Sequence, residues 1–322
     1  FSDVENTIRI NRLSPSYYYY LARAKVWINN QNFPTYIKKR KETTYLQTWH
    51  GTPLKKMLHD IENVMGRTDG YIDRVTSAIK NWDYLISPSE YATNAFKSAF
   101  KYKGEILEVG YPRNDIFYQN NKDSLINTVI SRLNLPEDKK IILYAPTFRD
   151  NQTSQKNKFR FDIEMDLHRM KEVLGDQYII LLRMHVVVSN KIKLDEDLEG
   201  FVMDVSNYPE MQELLLISDI LITDYSSVMF DFANTKRPMI FYTFDFETYR
   251  DDVRGFYLDF ETEAPGPLVK TTEEIINSIQ KIKEVEQNYE EKYELFYNKY
   301  CNLEDGKASE RVLDLLISKN QL

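Results

Sequence analysis

Scarcity sets the first limits on this chain of 322 residues. It has one cysteine, Cys301, so no disulfide can form within it, and a reducing compartment fits. No run of about 18 apolar residues occurs, which leaves no encoded membrane-spanning helix. The opening FSDVENTIRINRL has neither a methionine nor a signal-peptide core and reads as a cut chain rather than a natural start. Positive charge is also short, with 42 Lys+Arg against 49 Asp+Glu and a net charge of −7. That balance argues against a nucleic-acid partner, whose binding rests on phosphate neutralisation, while leaving a local basic face open. There is no P-loop, no GxGxxG and no GxSxG around Ser226, so a hydrolase triad is not expected. No HExxH or Cys/His cluster points to zinc, and the acidic triplet 195–197 reads as a solvated turn rather than a metal site.

What is present suits packed cores. Apolar residues make up 42% and aromatic residues 13%, including 23 tyrosines, four of them in the run Tyr17 to Tyr20. The length suits two domains of roughly 150 residues each. Strand-like runs lie at 24–30, 43–49, 83–89 and 104–112, then at 139–147, 177–185, 200–206, 219–227 and 237–243. Helical periodicity fills the intervals, as at 89–100 and 208–218. Strands buried on both faces and alternating with helices predict parallel sheets with crossovers. The polar stretch 118–140 reads as the link between two Rossmann-like domains. The expected division is a first, N-terminal Rossmann-like domain at 1–117, a second at 118–270 and C-terminal helices at 271–322. The first set is short for a doubly wound domain, so its early strands are expected upstream of Phe1.

Five strand runs end in polar residues: WHGTP (49–53), GYPRND (110–115), APTFRD (145–150), LRMH (182–185) and TDYSS (223–227). In an open parallel sheet such ends line one crevice. Arg113, Arg149 and Arg183 can make bidentate contacts to phosphate oxygens. Ser226 and Ser227 fall where a helix begins, which favours either an anion or an ordinary serine cap. Asp231, one turn further on, could hold a ribose or glycerol hydroxyl or cap a neighbouring loop. His185 shares a strand face with Arg183, a pairing that suits a diphosphate, although an inert strand-end histidine fits too. His168 reads as a surface residue and His59 as structural or interfacial. His50 stands at a strand-to-helix break before Gly51 and Pro53, where a histidine can titrate near neutral pH. From Pro53 the pattern predicts an amphipathic helix over 53–66. Its one face carries Leu54, Met57, Leu58, Ile61, Val64 and Met65, flanked by Lys55 and Lys56. That face either packs inside the first domain or meets a membrane.

The segments WHGTPLK, YPRND, APTFR, RMH and TDYSSVMFDFA resemble the CDP-glycerol glycerophosphotransferases that build poly(glycerol phosphate) teichoic acids. The resemblance runs from about Tyr18 to DGKASERV and departs after His185, where relatives usually have proline and this chain has Val186. It implies an α/β GT-B fold, two Rossmann-like domains facing across a cleft, working without a cofactor or essential metal. The first domain would take the acceptor and the second the nucleotide donor. The implied partners are CDP-glycerol as donor, a lipid-linked polyol-phosphate acceptor and the anionic cytoplasmic face of the cell membrane, with no nucleic acid. Carried over, His50 matches the catalytic base, and Gly51, Thr52, Pro53 and Leu54 line the donor site with it. Arg113, Pro146, Thr147, Arg183, Met184, His185, Ser226, Ser227 and Asp231 match positions around the donor. Arg149, in the same APTFRD strand end, joins them as a phosphate contact, and His185 holds the diphosphate opposite His50. Ribitol-phosphate transferases and some capsule polymerases share these motifs, and a GT-B glycosyltransferase using a nucleotide sugar is the rival enzyme. A non-catalytic polymer- or membrane-binding module is the rival outside enzymes; the histidines, arginines and serines argue against it.

Overall fold

The computed structural model describes residues 6–61, 70–147, 153–155, 158–159, 163–184, 194–249 and 255–319. Strands β1 (Val26–Asn29), β2 (Thr44–Gln47), β3 (Tyr84–Ser87) and β4 (Glu105–Glu108) form one parallel sheet in that order. Helix α1 (Pro15–Arg23) precedes β1, while α2 (Tyr71–Ile79) and α3 (Glu90–Phe100) come before and after β3. Alternation along β3 explains the two covers of this sheet. Leu85 points to the side packed by Trp27, Tyr45, Phe96 and Phe100, whereas Tyr84 and Ile86 point to the other.

The next strand is β5 (Lys140–Tyr144), followed by an antiparallel pair, β6 (Thr153–Gln155) and β7 (Lys158–Phe159). Then come β8 (Tyr178–Leu182), β9 (Val202–Asp204), β10 (Ile220–Thr223), β11 (Met239–Tyr242) and β12 (Leu268–Val269). Apart from that pair they make a second parallel sheet, in the order β12-β11-β10-β5-β8-β9. Its helices are α4 (Lys122–Leu133), α5 (Leu167–Leu174), α6 (Met211–Ile217), α7 (Val228–Phe232), α8 (Phe246–Tyr249), α9 (Phe260–Glu263), α10 (Thr272–Gln280) and α11 (Ile282–Tyr300). Every residue of β8, β10 and β11 is buried, as their unbroken apolar runs require. Ile141, Leu143 and Leu221 face the side covered by α4, α6, α7 and α11; Ile142, Ile180 and Ile222 face α5 and α10.

A last helix, α12 (Ala308–Ser318), returns to the first sheet. Its Val312 and Leu316 close the face made by Leu46, Tyr84, Ile86 and Leu107. The helices after 271 thus divide between the two sheets.

Two expectations are corrected. The stretch 118–140 is not a bare link, because it folds as α4 and buries Val129 in the second core. The region 53–61 is not an amphipathic helix. Its backbone pairs instead with 255–257: Lys56 N–H donates to the Gly255 carbonyl at 3.1 Å, and Tyr257 N–H to the Leu54 carbonyl at 2.9 Å. Only a short 3-10 turn, Leu58–Asp60, follows. The supposed single face is split, since Leu54 enters the core of the second sheet and Leu58 that of the first. Val64 and Met65 lie outside the described residues. His59 sits on the turn, with Nε2 3.2 Å from Thr76 Oγ1.

Candidate active site

The second sheet reverses its order at β5 and β10, with β8 and β9 laid down on one side and β11 and β12 on the other. Loops leaving β5 and β10 part there, which opens the crevice used by ligands in such sheets. The two loops are tied together. Thr223 Oγ1 donates to the Ala145 carbonyl at 2.7 Å, and the Asp224 carboxylate accepts the Thr147 N–H at 2.8 Å. Beyond Asp224 the chain turns through Ser226 and Ser227 into α7. Ser226 Oγ accepts the Val228 N–H at 3.4 Å, whereas Ser227 stands at the cap position without a side-chain capping bond.

The strand ends of the first sheet face this turn. At the end of β2, Gln47 is fully buried and its Oε1 accepts the Trp49 N–H at 2.9 Å. That bond bends Trp49 into the left-handed region, φ 54°, a costly conformation for a large side chain. The Trp49 ring is wedged against Phe100, 4.8 Å between centroids, and lies 4.2 Å from the His50 ring. His50 Nδ1 is 2.8 Å from the Asn30 carbonyl, which only accepts, so Nδ1 carries the proton and Nε2 keeps the lone pair. His50 retains exposed surface, yet the atoms crowded around it disfavour the charged form. That desolvation chiefly, with the Arg113 charge, holds its pKa below the usual 6.5, against the pull of the Asn30 carbonyl. Next, Gly51 approaches the opposite wall so closely that a Cβ there would lie 2.7 Å from Ser227 Oγ.

Arg113 comes from the 3-10 helix Pro112–Tyr118 that follows β4. Its guanidinium lies 3.9 Å from the Tyr111 ring centroid and forks onto Asp231, Nη2 to Oδ1 at 2.9 Å and Nε to Oδ2 at 3.2 Å. Behind this pair, Asn114 Nδ2 donates at 3.0 Å to both Asp231 Oδ1 and Glu304 Oε1. The Glu304 carboxyl also accepts the Tyr111 N–H, at 3.1 and 3.2 Å. Burial above all, and the nearby Asp231 charge, push Glu304 up to about 8, with Asn114, the Tyr111 N–H and Arg113 opposing.

His50, Arg113, Ser226, Ser227 and Asp231 therefore line one cleft of about 470 Å³, together with Asn30, Trp49, Tyr111 and Gln212. Gly51 reaches it by its contact with Ser227. Other expected contacts do not line this cleft. Leu54 and Met184 are buried in the cores, at 2% and 4% exposure, and offer a ligand no surface. Arg183 Nη1 is committed to three main-chain carbonyls, Val205 at 2.8 Å, Ser206 at 2.5 Å and Tyr208 at 2.7 Å, so it clamps the chain after β9. Asp231 is taken up by Arg113 rather than capping a loop. Thr52, Pro53 and Pro146 are buried beside the cleft, and Thr147 is half-buried. Arg149 and His185 lie outside the described residues. Asn30 had a legible signal, the Asn-Asn pair closing the first strand run. Glu304 had none, being 193 residues from Tyr111.

Among the described residues one group has the make-up of a metal site: His168, Asp195 and Asp197, all exposed, with ligand atoms within 4.8 Å of one another. His168 sits between the two carboxylates at 3.0 and 2.9 Å, on and beside a solvated turn, and shares no lining with the cleft.

A family model described as CDP-Glycerol:Poly(glycerophosphate) glycerophosphotransferase matches residues 2–318. The chain is 49% identical over 308 residues to the teichoic acid poly(glycerol phosphate) polymerase of Bacillus subtilis (strain 168), covering 95% of this chain but 41% of the relative. The chain thus spans less than half the length of that protein. To the teichoic acid glycerol-phosphate transferase of Staphylococcus aureus (strain NCTC 8325 / PS 47) it is 45% identical, covering 95% of this chain and 79% of the relative. The solved structure of the wall teichoic acid polymerase TagF superposes with a TM-score of 0.90 at 42% identity, covering 97% of this chain and 78% of that one.

Proposed function

Because the chain belongs to the CDP-glycerol:poly(glycerophosphate) glycerophosphotransferase family, we propose that it transfers glycerol phosphate from CDP-glycerol to the terminal hydroxyl of a lipid-linked (poly)glycerol-phosphate acceptor in teichoic acid synthesis, releasing CMP. The observation that carries this reading is the cleft itself. A neutral imidazole with a free Nε2 faces a serine turn and a guanidinium across a sheet's switch point. The acceptor oxygen attacks the β-phosphorus and its proton passes to His50 Nε2. The bond from that phosphorus to the bridging oxygen breaks, and CMP leaves with the electron pair. Arg113 and the Ser226 and Ser227 hydroxyls meet the charge that develops on the phosphoryl oxygens. A proton acceptor and an anion site on opposite walls suit this displacement.

The two sheets with their helices are read as the halves of a GT-B fold, divided near residues 117 and 118, with α12 assigned back to the first half. The enzyme works as a peripheral protein on the cytoplasmic face of the membrane, where a lipid-linked acceptor is presented. Among the described residues no helix is long and apolar enough to cross a membrane. The test is release of CMP from CDP-glycerol in the presence of a lipid-linked glycerol-phosphate acceptor, with CDP-ribitol and UDP-sugars as competing donors. Turnover with CDP-glycerol well above the others supports the reading; a clear preference for another donor overturns it.

A further inference from the structure

The loop between α11 and α12 sets a carboxylic acid behind the cleft that the transfer chemistry does not use. Glu304 is 4% exposed, and its carboxyl receives the Tyr111 N–H and the Asn114 amide. Its seat is built for close contact. Gly110 has φ +83°, and a Cβ there would lie 2.9 Å from the Leu303 carbonyl and 3.1 Å from Glu304 Oε2. Two further locks hold the loop: the Asp115 carboxylate accepts the Ala308 and Ser309 N–H groups at 3.0 and 2.8 Å.

We propose that Glu304 is a positioning residue for the Arg113–Asp231 pair, acting through the Asn114 amide and the Tyr111 main chain. The proposal rests on the transfer reading above. Arg113 meets the donor's phosphates only if its plane is fixed, and two groups fix it, the Tyr111 ring and the Asp231 carboxylate. Glu304 holds both, one by its backbone and one through an amide that spends its two hydrogens on the two acids. Burial and the Asp231 charge favour the protonated form of a second acid here. The groups around it are Asp231, Arg113, Asp115, Tyr111, Tyr118, Tyr297 and Cys301. As pH rises through about 8, Glu304 ionises and adds negative charge behind Asp231. That charge draws on Arg113 and repels an incoming diphosphate.

The test compares wild type, E304Q and E304A by donor KM and kcat for CMP release across neutral to alkaline pH. CDP binding by calorimetry and thermal melting accompany the kinetics. E304A should raise donor KM roughly tenfold, the size expected for leaving a buried N–H without its acceptor, with kcat changed far less. E304Q, neutral and of the same shape, should restore most of that loss. Wild-type KM should climb above about pH 8 while E304Q stays flat. Wild-type KM and CDP affinity in E304A overturn the proposal, as does an E304Q profile that climbs like wild type. If E304A does not fold, the E304Q profile decides. If wild type releases no CMP from CDP-glycerol, the transfer reading fails by itself, and CDP affinity still judges Glu304: equal values in all three proteins sink it.

Discussion

One hydrogen bond determines which nitrogen of His50 can act. Because the Asn30 carbonyl holds Nδ1–H, Nε2 is the nitrogen open to act as the proposed base, and crowding by its neighbours keeps the ring neutral to a lower pH than a free histidine. A base must be unprotonated to work, so activity is lost as pH falls through its pKa. The acid limb of kcat/KM should therefore have its midpoint below 6.5. A limb at or above that value would assign the proton to another group. His50→Ala should slow transfer by ~10²–10⁴-fold while leaving CDP binding nearly intact, since a base acts mainly in the transition state. Weakened binding of equal size would make His50 a ligand contact instead. At this scale the sequence was informative where residue type implies chemistry. His50, Arg113 and the two serines stood out as polar groups at apolar strand ends. Arg183 stood out for the same reason, and Met184 through the resemblance, yet Arg183 Nη1 bonds to the main chain after β9 and Met184 lies in a core, because a strand end does not state which way its side chains turn.

Among the elements that line the cleft, the loop after β2 meets the start of α7 closely. Gly51 has no side chain there because Ser227 Oγ occupies the space a Cβ would need. Gly51→Ala should push the Ser227 hydroxyl aside and raise donor KM by up to roughly tenfold, the worth of one hydrogen bond. The melting temperature should barely move, since a serine side chain can rotate away. A large fall in melting temperature with unchanged KM would mean that the contact serves packing alone. The segment after Gly51 shows why periodicity can mislead. Leu54, Met57, Leu58 and Ile61 recur at helical spacing, but the backbone of 54–57 bonds to 255–257, some 200 residues away. Local pattern cannot report a distant partner, and two cores claim the apolar residues that one helix face would have shared. The nine strand runs were legible because each carries its apolar signal within itself, most fully in β8, β10 and β11, which are buried throughout.

Across the whole molecule, α12 binds the end of the described chain to its beginning. Leu316 is 1% exposed beneath the first sheet, so Leu316→Ala should cost about 2–5 kcal/mol. The three tryptophans, Trp27, Trp49 and Trp82, all belong to that half. Tryptophan fluorescence in urea should therefore report the lowered midpoint directly; an unchanged midpoint would show that α12 lies on the sheet without holding it. Neither this return nor the ring of contacts through Glu304 was visible in the sequence, where 271–322 read only as C-terminal helices. The return also sets an order of events during synthesis. Residues 26–108 leave the ribosome first, but the apolar face of Leu46, Tyr84, Ile86 and Leu107 has no cover until Val312 and Leu316 emerge. By then every strand of the second sheet is already out. The half encoded in the middle can pack while the half encoded first still waits with an open face, so a nascent chain halted before residue 308 is the form a chaperone would hold.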